Sequence, residues 1–251
     1  MNEKMLFIDL ETAPAIVYSW GLYDQNHGIN QIVRDGYLLS WAAKWYGDKK
    51  VMSDSLIEYP KFYKADPTND EKITRSMWKL MDEADIIVGH CGDSFDIKHM
   101  NTAFLKHGLP PVSSFRSIDT KKEAKKSFRF MSNKLDFISK KLSLGAKIDT
   151  GGFELWDGCM RGDPACWKDM VDYNKHDVVL LEKVYNKIKP FMKGHPVSHG
   201  KRECNNCGST RFISKGQVNT NAGSYQRLIC VGCGASKKMG PNLEKRPFSN
   251  A

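Results

Sequence analysis

No stretch of this chain approaches the roughly 20 consecutive apolar residues that a bilayer-spanning helix requires, so no membrane association is expected. The first residues, MNEKMLFIDLETAP, also lack the basic patch, long apolar stretch and small-residue cleavage site of a secretion signal. A cytoplasmic setting is the expectation. The cytosol keeps thiols reduced, so the seven cysteines need a purpose other than disulfides. Internal repeats and low-complexity tracts are missing too, which argues against a repeat architecture. What is present suits a globular protein: 251 residues, 41% hydrophobic, 11% aromatic and 27% charged. That suffices for one large domain, or for one domain and a small module.

The net charge of +9 is unevenly spread. From His195 onward, nine Lys and Arg residues face only Glu203 and Glu244, a balance of +7. The residues before carry 29 basic against 27 acidic side chains. A near-neutral body with a basic end predicts a polyanionic partner, most often nucleic acid. The composition breaks where Pro190, Gly194, His195, Pro196, Ser198, His199 and Gly200 cluster. This marks a linker, with a body over 1–193 and a basic module with linker and tail over 194–251.

Within the body, LFIDL (Leu6 to Leu10) reads as a buried strand. Gly36 to Gly47 and Lys49 to Leu56 read as two more, joined as an antiparallel hairpin by a tight Gly47-Asp48 turn. Ile73, Met77, Leu80 and Met81 recur at helical spacing across Asn69 to Ala84. Asp85 to His90 holds a short apolar strand, and Asp96 to Lys106 a helix ended by Gly108 and Pro110-Pro111. Further helices are expected over Asn133 to Leu144 and Pro164 to Ile188. This order predicts an α/β domain with a mixed sheet flanked by helices.

Three segments of the body place acids suggestively. Asp9 and Glu11 stand two apart on a strand and so share a face, where two like charges repel unless a cation lies between them. The alternative is that Leu10 and Glu11 already belong to a turn and Glu11 is solvated. GHCGDSFD (Gly89 to Asp96) follows a buried strand and ends on Asp96, which could equally cap the following helix. In the last helix Tyr173 and Asp177 are four apart, which puts a phenol and a carboxylate on one face.

Together these motifs resemble the DEDD superfamily of 3′–5′ exonucleases, in its DEDDy subclass. The match consists of D-x-E at Asp9 and Glu11, an acid closing G-H-x-x-x-x-F-D at Asp96, and Y-x-x-x-D at Tyr173 and Asp177. SIDT (Ser117 to Thr120) and SNKLDFISKKL (Ser132 to Leu142) look like the region between the second and third motifs, and the resemblance spans residues 5 to 190. It implies a ribonuclease-H-like, five-stranded mixed sheet. It also implies two Mg²⁺ or Mn²⁺ ions, with Asp9 bridging them, Glu11 and Asp177 on the nucleophile side and Asp96 on the other. Tyr173 would then orient the attacking water. Carboxylate oxygen suits such hard cations, and two of them can both activate water and steady the leaving oxygen. Cys91 departs from the pattern, which often has Asn after Gly-His. The sister subclass carries a His five residues before the last acid, where this chain has Asp172; His176 should point elsewhere on the helix.

Cys204 and Cys207 (CNNC) and Cys230 and Cys233 (CVGC) form two C-x2-C pairs 22 residues apart. Two such knuckles in a basic module, each followed by glycine (Gly208, Gly234), predict a zinc ribbon holding one structural Zn²⁺. Cys91, Cys159 and Cys166 read as structural. Arg211, Lys215, Tyr225 and Arg227 mix cations with an aromatic ring, which suits phosphate contact and base stacking. Trp20, in a loop-like stretch near the first motif, and His90 are further expected nucleic-acid contacts.

The expected function is a 3′–5′ exonuclease working at single-stranded 3′ ends, with DNA favoured over RNA. Two other possibilities remain: a nucleic-acid-binding adaptor with a degenerate nuclease domain, and a structure-specific endonuclease on the same scaffold. Chains that pair this domain with a ribbon resemble bacteriophage nucleases, which would place the protein in the host cytoplasm.

Overall fold

A computed structural model describes residues 3–23, 25–192, 195, 203–204, 207–220 and 223–239. Gly194, Pro196, Ser198, His199 and Gly200 of the expected linker, and the tail from residue 240, lie outside the described residues. The chain forms two compact units, Met1–Tyr185 and Asn186–Ala251. Among the described residues no helix is long and apolar enough to cross a membrane.

The first unit opens with strand β1 (Met5–Ala13), the short strands β2 (Ile16–Val17) and β3 (Ile32–Arg34), and then β4 (Tyr37–Trp45) and β5 (Met52–Ser55). Helices α1 (Pro60–Ala65) and α2 (Glu71–Glu83) lead to β6 (Ile86–Gly89), α3 (Asp96–Lys106) and β7 (Arg116–Asp119). Helices α4 (Thr120–Ser127), α5 (Leu135–Lys141), α6 (Glu154–Met160) and α7 (Pro164–Ile188) follow. Five strands form one sheet in the order β5-β4-β1-β6-β7. β4 runs antiparallel to β1 and β5, while β6 runs parallel to β1 and β7. This is the mixed sheet of the ribonuclease-H-like fold.

The alternation of β1 decides what it presents to each side. Leu6, Ile8 and Leu10 are buried in one cluster with Ile73, Met77 and Met81 of α2 and Met100 and Phe104 of α3. On the other face Phe7 meets Tyr185 of α7 edge-on, ring centroids 5.2 Å apart. The same face therefore carries Asp9 and Glu11 along α7. Pairing with β4 shifts register between Glu11 and Thr12, so the strand bends just past its second acid.

Besides the short elements β2, β3, α1, α4 and α6, which the sequence reading does not contain, three others differ from it. The helix expected over 133–144 is confined to Leu135–Lys141, because the chain turns at Ser143 (φ 56°) and Gly145 (φ 128°). The β4–β5 connection is wider than a two-residue turn: Ala43 pairs with Met52, and the Asp48 amide donates to the Trp45 carbonyl at 3.1 Å. Ser117 to Asp119, read only as part of a connecting region, lie in the fifth strand, too short for its alternation to register in the sequence.

In the second unit β8 (Phe212–Thr220), β9 (Gly223–Cys230) and β10 (Ser236–Met239) form an antiparallel sheet in the order β10-β9-β8.

Candidate active site

The face shared by Asp9 and Glu11 meets the stripe of α7 that carries Tyr173, Asn174 and Asp177. Carboxylate oxygens of Asp9, Glu11 and Asp177 lie within 4.8 Å of one another. Asp177 is fully buried, and its Oδ1 has no hydrogen-bond partner. A buried carboxylate oxygen with nothing to accept from is costly, and a hard divalent cation would relieve it. The donor set therefore fits such an ion.

Asp96, the first residue of α3, stands beside this trio. It is buried, and its Oδ1 accepts from the Leu10 amide at 3.0 Å. Its loop leaves β6 through Gly89 and Gly92, whose backbones approach so closely that a Cβ on Gly89 would fall 2.8 Å from the Gly92 Cα. Only glycine allows that fold-back, which delivers Asp96 to the central strand.

Burial and mutual repulsion dominate the electrostatics. Burial first, and then Glu11, Asp96 and Asp177, push the Asp9 carboxyl well above its ordinary range. Burial raises Glu11 to about 7 against the pull of Lys147, and raises Asp96 to about 7. Asp177 is raised by burial and pulled down by Lys147. Such displaced carboxylates crowded in one place are the electrostatic mark of a site built for added positive charge.

The sequence reading missed three contributors. Lys147, in the loop after α5, donates to Asp177 Oδ2 at 2.5 Å and to the Tyr173 hydroxyl at 2.8 Å. Burial works against its charge, but Asp177 more than reverses that and raises its pKa. Asn174 donates to the carboxylate and carbonyl of Asp9, and Trp156 of α6 hydrogen-bonds Glu11. Trp156 also meets Tyr173 edge-on, centroids 6.0 Å apart. Asn174 alone left a trace in the sequence, since it lies inside the Y-x-x-x-D motif. Lys147 sits in a loop without periodicity, and α6 is too short to read as an amphipathic helix.

His176 faces away from the acids, its Nε2 donating to the Ala146 carbonyl at 2.7 Å and so pinning the loop that carries Lys147. His90, expected at a nucleic-acid surface, is instead turned into the fold. Its Nε2 donates to the Asn133 carbonyl and its Nδ1 lies against the Thr120 hydroxyl, both at 2.9 Å. Burial lowers its pKa to about 4, so the ring is neutral near pH 7. Cys91 takes a left-handed backbone (φ 75°), and its amide donates to Asp119 Oδ1. Trp20 is 94% exposed on the arm between β2 and β3.

In the second unit the four expected thiols converge. Cys204 and Cys233 have Sγ atoms 3.5 Å apart, as do Cys207 and Cys230, and all four lie within 4.8 Å. The two knuckles repeat one pattern: the Gly208 and Gly234 amides donate to the Cys204 and Cys230 carbonyls at 2.8 and 2.9 Å. Both glycines have φ near 70° (72° and 74°), which favours glycine at the turn. Four thiols at these distances on a three-stranded sheet have the form of a zinc ribbon. Arg211, Lys215 and Arg227 are exposed on or beside its strands, and Tyr225 is half-buried.

Fold and acid cluster together define the class, a nuclease-type hydrolase scaffold. A profile of the RNase_H superfamily (RNase_H_2) matches residues 6–189, and the chain belongs to that superfamily. Among solved structures it is similar to the family B DNA polymerase from the hyperthermophilic archaeon Pyrobaculum calidifontis. The identity is 16% and the TM-score 0.53, over 75% of this chain and 25% of that one. That likeness is one of fold, and the chain spans a quarter of the polymerase's length. No curated protein sequence matches the chain.

Proposed function

We propose that the protein is a metal-dependent 3′–5′ exonuclease that shortens DNA strands from their 3′ ends. The body over 1–193 would carry the catalysis, and the ribbon over 194–251 would bind one Zn²⁺ and help capture substrate through Arg211, Lys215, Tyr225 and Arg227. The carrying observation is the convergence of Asp9, Glu11 and Asp177, with an unanswered buried oxygen on Asp177.

Asp9, Glu11, Asp177 and Asp96 would hold two Mg²⁺ or Mn²⁺ ions, which supply an activated water and charge stabilisation for the leaving 3′-oxygen. The chain's own groups do the rest. Asn174 fixes the Asp9 carboxylate, and the backbone of Leu10 fixes one oxygen of Asp96. Burial and the Asp177 charge raise the Tyr173 phenol well above its ordinary value, so it stays protonated at neutral pH. It therefore orients an oxygen by hydrogen bonding rather than removing a proton. Lys147 keeps one positive charge among four acids.

The test is a time course with 5′-labelled single-stranded DNA, duplex DNA and RNA in Mg²⁺, Mn²⁺ or EDTA. A stepwise ladder from the 3′ end, lost in EDTA and in Asp177→Asn, is expected. Full activity in Asp177→Asn would sink the assignment, cutting of circular single strands would indicate an endonuclease, and binding without hydrolysis an adaptor.

A further inference from the structure

The near-neutral charge of the body conceals a strong polarity. Residues 120–147 hold nine Lys and Arg against Glu123 and Asp136, while the rest of the first 194 residues hold 20 basic and 25 acidic side chains. Much of this charge lies on α4, where Lys121, Lys122, Lys125 and Lys126 all face solvent while Thr120 and Ala124 pack inward. Like charges four apart weaken a helix, so this arrangement serves something other than stability. Lys122 is paired with Asp93 and Lys126 with Glu123, while among the described residues Lys125 and Arg129 form no ion pair.

This basic element is tied to the acid site. Asp119 caps α4 by accepting from the Lys121 and Lys122 amides and also takes the Cys91 amide, at 3.0 to 3.2 Å. His90 holds both ends of the segment, Thr120 at its start and Asn133 at its close. The loop that leads to Asp96 and the basic segment therefore form one braced unit. Beyond α4, Phe128 and Phe130 pair with ring centroids 5.4 Å apart, and Met131 is 94% exposed. Cations interleaved with aromatic and apolar side chains suit a strand whose bases are unpaired; a duplex offers such a surface only its phosphates.

We infer that α4 and the loop through Met131 form a docking track for single-stranded nucleic acid, its phosphates on Lys121, Lys125 and Arg129 and its bases against Phe128, Phe130 and Met131. The inference rests on the nuclease reading, since it names the strand that would be fed to the acids, but its test needs no hydrolysis.

The full chain in EDTA is titrated with fluorescein-labelled oligothymidylate at several salt concentrations, reading anisotropy. Lys125→Gln/Arg129→Gln is expected to bind about tenfold more weakly, and its log–log salt slope to be shallower by about 1.4, or ~0.7 per lost phosphate contact. Lys125→Arg/Arg129→Lys keeps the affinity, and a melting curve checks the fold. Should the Gln pair fail to fold, Lys125→Gln alone replaces it, with an expected slope loss of about 0.7. Unchanged affinity and slope overturn the track, as does salt dependence lost only in Arg211→Gln/Lys215→Gln. Equal or tighter binding of duplex DNA overturns the single-strand assignment. Normal degradation and binding by the Gln pair would reject the track and keep the nuclease; a working track without hydrolysis in Mg²⁺ or Mn²⁺ would do the reverse.

Discussion

Asn174 holds Asp9 through a single amide nitrogen, which donates to the carboxylate Oδ2 at 2.6 Å and to the main-chain carbonyl at 3.1 Å. The Ser40 hydroxyl of β4 donates to the Asn174 carbonyl oxygen at 3.2 Å. Two neighbouring strands and the helix bearing Asp177 thus meet at one side chain.

Removing that amide should loosen Asp9 without unfolding the sheet. Asn174→Ala is expected to lower activity about 10- to 100-fold, the usual effect of removing a group that orients a metal ligand. Higher Mg²⁺ should recover part of the loss. An unchanged Mg²⁺ requirement, measured from rate against metal concentration, would refute this role for Asn174.

Stability should fall with rising pH when metal is withheld. Burial lets Glu11 and Asp96 keep their protons up to about pH 7, whereas in an unfolded chain they ionise near pH 4. The buried His90, which gains a proton only on unfolding, offsets part of this, but the two acids outweigh it: the folded state binds more protons across the window, so its stability declines as pH rises through it and levels off above. In EDTA the Tm should drop by several °C, on the order expected for a domain of this size. Mg²⁺ should flatten the decline, because it favours the ionised acids. A Tm in EDTA that rises between pH 5 and 7 would contradict the electrostatics.

Tyr173→Phe should retain the packing against Trp156 and lose the hydroxyl. The expected outcome is a fall in kcat of about 10²-fold with KM little changed, as for a small misplacement of a reacting group. The basic side of the pH–rate profile should keep its shape, because the phenol does not titrate near neutrality. A change in KM alone would make Tyr173 a substrate-binding residue.

The thiol cluster should carry about one zinc per chain, as a four-thiolate structural site does. Cys204→Ser should lower the zinc content measured by atomic absorption and expose the second unit to proteolysis. Wild-type zinc content in that variant would exclude Cys204 as a ligand.

The parts of this molecule that repeat locally were legible in its sequence. Helix α7 runs from Pro164 to Ile188, the span given by its periodicity, and α3 from Asp96 to Lys106; Pro164 opens the one, and Asp96 stands in the first turn of the other without capping it. That Asp9 and Glu11 share a face follows from strand alternation alone, whereas that this face meets α7 is set by the fold. Lys147 could not be read this way, since it reaches Asp177 from a loop 30 residues distant whose path is set by Ser143, Gly145 and the His176 contact. The charge on α4 was visible in composition but was cancelled in the total by acids elsewhere in the body. His90 carried a motif's signature, yet its role as a brace depends on Thr120 and Asn133, which only the fold brings near.

The parallel pairing of β1 with β6 ends at Phe7 and Val88, so the Leu10 amide beyond it bonds to Asp96 instead of to a strand. One backbone proton is thereby wired to a carboxylate of the acid cluster. Its nuclear resonance frequency shifts as Asp96 gains or loses a proton or turns toward a new partner. Labelling the leucines with ¹⁵N would make that amide an indicator, built into the chain, of the charge state of the site beside it.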